Sequence, residues 1–150
     1  MEISVIDKNL ELISLSEKST TRFWRVSFDE LSFAERVFVC VWELEAEVNN
    51  GGFELYFLNY SGDNSHFVVQ SLLSIGANKA AALVDKAIDT VGAELMAEPH
   101  DDRFAALRTL SSEVRQRLSE LDYEFYTYPD DLTELLYEFV QQHRNEIQGA

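Results

Sequence analysis

From Ser32 onward, apolar residues recur three and four positions apart, the spacing of one helix face. Phe33, Val37, Val41, Leu44 and Val48 form one stripe, and Ala34, Phe38 and Trp42 form a second beside it. A helix apolar over so much of its girth belongs at the centre of a fold. The strip left to face outward is Arg36, Cys40, Glu43 and Glu47. Ser32 followed three residues later by Glu35 is a capping box and sets the start. Asn49, Asn50, Gly51 and Gly52 set the end. Asn and Gly tolerate positive φ, so this run reads as a helix terminus followed by a sharp turn, with both glycines in conformations a Cβ would penalise. Phe53, Tyr56, Phe57 and Tyr60 then mark one face of a short helix, which Ser61, Gly62 and Asp63 stop.

The same reading continues along the chain. Residues 66–75 predict a helix facing inward through Phe67, Val68, Ser71, Leu72 and Ile75, closed by Gly76. Residues 77–91 predict an Ala-rich helix whose face is Ala80, Leu83, Val84, Ala87, Ile88 and Val91. Two further segments, 101–110 and 112–126, follow a polar link containing Pro99, and Val114, Leu118, Leu121 and Phe125 line the second. Pro129 suits the first position of a last helix, with Asp130 and Asp131 in its first turn complementing the helix dipole. Leu132, Leu135, Leu136, Phe139 and Val140 carry that helix inward. Residues 1–27 carry a weaker pattern. Residues 2–7 alternate as a short edge strand does, 9–15 make a helical turn or two, and 16–21 form a polar loop. Phe23 and Trp24 need burial, so this arm is expected to pack on the body. The expectation is an all-α, single compact multi-helix domain over residues 1–150. It has about six helices in a core of residues 28–145 and a poorly ordered or edge-strand N-terminal arm.

Composition narrows the function classes. A hydrophobic fraction of 46% and 18 aromatic residues exclude wholesale disorder. The formal net charge is −15, from 27 acidic against 12 basic residues. That disfavours direct binding of nucleic acid or an anionic membrane and favours a basic partner. One cysteine, Cys40, precludes a disulfide within the chain, and its apolar surroundings make it a small buried hydrophobe. There is no basic segment followed by an apolar run of signal-peptide type, and no apolar stretch approaches the roughly 18 residues of a membrane span. A soluble, cytoplasmic protein is expected.

Catalytic chemistry finds little support. His66, His100 and His143 are far apart, and none has a second histidine at helical ligand spacing, so no metal site is expected. Gly51-Gly52 lacks the spacing and following basic residue of a phosphate loop. Carboxylate pairs are so abundant that none singles out an acid–base site. No cofactor, no metal and no enzymatic activity are expected.

One stretch resembles a known family. Asn49-Asn50-Gly51-Gly52-Phe53, then Tyr56-Phe57-Leu58-Asn59, then Ser61-Gly62-Asp63, is similar to the signature of a family of small acidic all-helical bacterial proteins. That family is a domain of unknown function whose best described member is a DNA mimic occupying the DNA-binding face of a transcription factor. The resemblance continues at Ile75-Gly76-Ala77 with the Ala-rich helix after it, and at Leu121-Asp122, Phe125-Tyr126 and residues 129–132. It spans residues 28–143, with Leu55 and Tyr60 departing from the pattern. It implies a protein that binds a basic DNA-binding protein, such as a transcription factor, and competes with DNA.

The acids suit that implication because they are spread over helices. Residues 27–50 carry −5, residues 51–98 carry −4 and residues 99–150 carry −6, while residues 1–26 are neutral. Carboxylates at i and i+4 on a helix lie about 5–6 Å apart, close to the spacing of phosphates along a strand. Glu43 with Glu47, Glu120 with Glu124 and Glu134 with Glu138 are such pairs. Glu113 extends the second, and Asp130 and Asp131 add to the third. A solvated helix face is the ordinary role of any one pair. The first rival is an immunity- or antitoxin-like module that binds protein through the aromatic elbow. The second is a small hydrolase or ligand-binding domain.

Overall fold

A computed structural model describes residues 2–17, 23 and 25–147. Trp24 lies outside the described residues. Eight α-helices follow in order: α1 Val5–Glu17, α2 Phe33–Leu58, α3 Ser65–Ser74, α4 Asn78–Val91, α5 Ala93–Met96, α6 His100–Leu107, α7 Ser112–Tyr126 and α8 Leu132–Gln142. Short 3-10 turns occupy Phe28–Glu30, Tyr60–Asn64 and Arg144–Glu146. Among the described residues there is no strand. The protein is all-α, as its periodicity predicts.

Helix α2 is the axis. Val37, Phe38, Val41, Leu44, Val48, Phe53 and Phe57 along it are completely buried. Around it pack α3, α6, α7, α8 and the Tyr60–Asn64 turn, while α4 bridges α3 and α7. Phe38 stacks between Phe23 and Trp42, with ring centroids 5.0 and 5.7 Å away. The capping box is formed, with the Ser32 hydroxyl accepting from Glu35 N and the Glu35 carboxylate accepting from Ser32 N. Phe33 departs from its stripe and is 48% exposed. It is the first residue of α2, beyond the covering helices, and its ring meets Phe67 edge-on at 5.9 Å.

The strip expected to face solvent is covered instead. The chain leaving α2 folds back against it, so that Asn64 and Asn59 donate to Glu43 and Glu47 and both acids are half-buried, while Cys40 is fully buried. Burial pushes the Cys40 thiol up to about 12, which leaves it protonated and inert.

The N-terminal arm also differs from expectation. Residues expected as an edge strand enter α1, a 13-residue helix that runs along α8. Leu12 and Leu15 are its buried contacts. Lys8 adds a short ion pair to Glu134, with its Nζ 2.6 and 2.8 Å from the two carboxylate oxygens. The apolar repeat of α1 is short and diluted by exposed Ile6 and Leu10, which is why the arm reads ambiguously in sequence.

Helix α8 begins later than Pro129 suggests. Asp131 is its N-cap, accepting from Glu134 N at 3.1 Å. Asp130 turns away to accept from Ala80 N at 2.8 Å, near the start of α4. One aspartate of the pair therefore complements the dipole of a different helix.

Docking of α1 has a measurable consequence. Leu12→Ala is expected to cost about 2–3 kcal/mol in urea unfolding, the usual cost of emptying a buried leucine site. An arm that did not pack would leave the midpoint unchanged.

Candidate functional site

The elbow is a break within α2. Gly51 lies at φ −162°, ψ 23° and Gly52 at φ 76°, ψ −177°. Only Gly52 needs the left-handed region that favours glycine. Gly51 has extended φ, and what a Cβ would meet there is the Leu55 side chain at 2.6 Å. The break opens the helix ladder and leaves orphan N–H groups starting the second arm and orphan carbonyls ending the first. Helix α7 supplies a partner to one group of each set. Asp122 Oδ1 accepts from Phe53 N at 2.8 Å. The Tyr126 hydroxyl donates to Val48 O at 2.9 Å. Asn49 Nδ2 donates to the Tyr128 hydroxyl at 2.7 Å, and that hydroxyl donates to Glu45 Oε1 at 3.1 Å. A Cβ on Gly52 would lie 2.3 Å from Asp122 Oδ2, so conformation and space both require glycine there.

The far end of α2 is held by Arg103, whose side chain is 1% exposed. Its Nε donates to Phe57 O at 2.8 Å and its Nη2 to Asn59 O at 3.0 Å, capping the carbonyls that end the helix. Nη1 pairs with Asp63 Oδ1 at 2.8 Å. Gly62 is required by this close approach, since a Cβ would lie 2.6 Å from Phe57 O and 3.1 Å from Arg103 Nη2. Ser61 Oγ donates to Tyr56 O, and Asn59 Nδ2 donates to Glu47 Oε2, both within 2.9 Å. Phe53, Tyr56 and Phe57 are fully buried. A partner cannot reach these three without unfolding the elbow, whereas Tyr60, expected on the same face, is 71% exposed with its ring stacked on His100 at 3.9 Å. Asn50, beside the break, is exposed.

Asp122, Arg103, Tyr126 and Tyr128 escape sequence reasoning about the elbow. Each meets it from more than 40 residues away. The one available signal is Arg103 placed four residues before Leu107 on the inward row of a short helix.

The acids expected on the partner-binding face occupy three settings. Glu43, Glu47, Asp130 and Asp131 accept hydrogen bonds within the fold. Glu134 pairs with Lys8, and Glu120 pairs with Arg117 at 3.1 Å. Glu113, Glu124 and Glu138 are exposed, and none is in an ion pair among the described residues. Helix α7 thus carries Glu113, Glu120 and Glu124 on its outward row, but Arg117 interrupts the run. Glu43 stands apart electrostatically. Burial pushes its carboxyl up to about 7, opposed by the Asn64 amide and reinforced by Glu47 and Asp63. The Tyr56 hydroxyl nearby is buried without a hydrogen-bond partner. Among the described residues, no group of three His, Cys, Asp or Glu side chains is placed to hold a metal ion. No helix among them is long and apolar enough to cross a membrane.

The fold and the site define an acidic all-helical domain organised on a broken central helix clamped by a distant one. The chain belongs to the family of DMP19-like proteins, whose model matches residues 29–143. No curated protein and no solved structure gives a significant match.

The clamp and the buried acid each predict a stability change. Gly52→Ala is expected to cost about 2–4 kcal/mol through backbone strain and displacement of Asp122. Asp122→Ala, which removes the acceptor alone, is expected to cost about 1–2 kcal/mol. Equal thermal melting of all three proteins would exclude the clamp. Because the Glu43 carboxyl is raised, the folded state keeps a proton that the unfolded chain releases between about pH 4.5 and 7. This contribution is full below that window, falls as pH rises through it and stays low above. Glu43→Gln is therefore expected to gain roughly 1–3 kcal/mol over the parent at pH 8 relative to pH 5, read from urea midpoints. Parallel pH profiles for the two proteins would contradict it.

Proposed function

We propose that this protein acts as a DNA mimic, binding a basic DNA-binding protein such as a transcription factor and competing with DNA. Membership of the DMP19-like family carries the reading. The charge distribution supports it. A net charge of −15 is attached to ordered helices rather than to a tail, so the carboxylates hold fixed spacings. In the proposed complex, Glu113, Glu124 and Glu138 stand in for phosphates against Lys and Arg of the partner. The long-range field of the whole chain speeds encounter. The acids that cap helices and pair internally contribute to that field and maintain the surface, while the exposed ones make contact. The proposed setting is the bacterial cytoplasm.

The test is release of labelled duplex from basic DNA-binding proteins of the source cell by added protein. Release is expected at low ionic strength and is expected to fall steeply with salt, as a charge-dominated interface does. Replacing Glu113, Glu124 and Glu138 together with glutamine is expected to weaken release at least about tenfold with melting unchanged, since all three are exposed. If no DNA-binding protein of that cell gives up its duplex even at low ionic strength, the proposal fails.

A further inference from the structure

Three tyrosines crowd the C-terminal end of α7. Tyr123 is 71% exposed, Tyr126 41% and Tyr128 40%. A single exposed aromatic is ordinary on a protein surface, but three within six residues form a patch. The rings of Tyr123 and Tyr126 stand perpendicular, with centroids 6.4 Å apart. Tyr126 and Tyr128 are fixed through their hydroxyls to Val48 and Asn49, consecutive residues of α2, so both rings converge on one turn of that helix. Tyr128 is held at φ 49°, the one non-glycine residue in the left-handed region among the described residues. That conformation is costly for a bulky side chain and persists because the surrounding hydrogen bonds determine it. The hydroxyl of Tyr123 carries no such bond, and its ring faces solvent.

Carboxylates surround the patch. Burial and, after it, the neighbouring Asp122 carboxylate raise the Tyr126 phenol, and Glu45 accepts from Tyr128. Glu120, which pairs with Arg117, lies one turn before Tyr123 on α7, and Glu124 follows Tyr123 in sequence, both of them exposed. We infer that this tyrosine shelf is a seat for an arginine side chain on a basic partner. The inference rests on the mimic reading for the sign of the partner's charge and adds which cation is read. A guanidinium is flat and weakly hydrated, and it stacks on an aromatic face while its N–H fork reaches a carboxylate beside the ring. A lysine ammonium is a strongly hydrated point charge and gains less from the ring. Two of the three rings are already locked, so little conformational freedom is lost on binding. Tyrosine and arginine are the residue types that concentrate binding energy at interface centres. The bare carboxylates attract either cation over distance, whereas the shelf discriminates at contact and survives salt.

The test uses the full chain and two probes of equal length, an oligoarginine and an oligolysine peptide, titrated at low and raised ionic strength. Oligoarginine is expected to bind about fivefold to tenfold more tightly and to keep more of its affinity in salt. Tyr123→Ala is expected to abolish that preference while leaving oligolysine binding and melting unchanged. Tyr123→Phe, which keeps the ring, is expected to retain it. Equal affinity for the two peptides in the parent overturns the inference and leaves the mimic reading standing. So does a preference that persists in Tyr123→Ala, or a loss shared equally by both peptides. Failure of both peptides to bind at low ionic strength overturns both.

Discussion

The hydrogen bond from Phe53 N to Asp122 is the contact on which the architecture depends. A 26-residue helix that breaks about three-quarters of the way along exposes backbone groups that must find partners where water is excluded. Gly52 allows the break but cannot satisfy it. Satisfaction comes from α7, which places a carboxylate at the new N-terminus and a phenol at the old C-terminus. The registry of α7 against α2 is thereby set by polar groups, with Leu118, Leu121 and Phe125 filling the space between. The second arm of α2 can then turn back, and Asn64 of the Tyr60–Asn64 turn meets Glu43.

Arg103 solves the complementary problem at the other end. Its guanidinium is fixed by carbonyls of residues 57 and 59 and by the Asp63 carboxylate, so a buried charge is left without an unmet donor group of consequence. Lysine could not span that set, because one ammonium lacks the planar fork. The motif Asn-Asn-Gly-Gly-Phe through Ser-Gly-Asp is thus a description of a scaffold. Its two tight glycines mark where Asp122 and Arg103 approach, and Phe53, Tyr56 and Phe57 are interior while Tyr60 is exposed.

What the sequence shows and what it hides follow from range. The stripes of α2, α3, α4 and α7 are legible because they are repeats of three and four residues, and the capping box of Ser32 because both members lie within one turn. The partners of the elbow are hidden because they are contributed across 44 to 83 residues, where no local spacing constrains them. Local rules also misplace residues when a tertiary partner competes. Pro129 marks a helix start on local grounds, but Asp130 is drawn to Ala80 N and the helix waits for Asp131. The outward strip of α2 is correctly polar, yet Glu43 and Glu47 serve as acceptors for the returning chain. Helical periodicity reports which side of a helix is apolar and says nothing about whether a polar turn covers the other.

The candidate surface obeys the same logic, and this bears on how charge becomes recognition. Of the nine acids that spacing nominates, six are engaged by the chain's own amides, backbone N–H groups or cations. A carboxylate accepting a neutral hydrogen bond still contributes to the field at a distance but offers fewer lone pairs at contact, one paired with Lys8 or Arg117 is offset by that cation, and Glu43, raised to about 7, is only partly charged at neutral pH. Net charge therefore measures attraction, while the free and exposed groups determine fit. Glu113, Glu124 and Glu138 are too few to reproduce a phosphate lattice unaided. Under the proposed mimicry, additional contact energy would come from surface of another kind. The exposed surface at the end of α7 supplies aromatic rings beside carboxylates, held in place by the same Tyr126 bond that closes the elbow. Scaffold and surface are joined at that residue, so the geometry that breaks α2 also fixes what α7 presents.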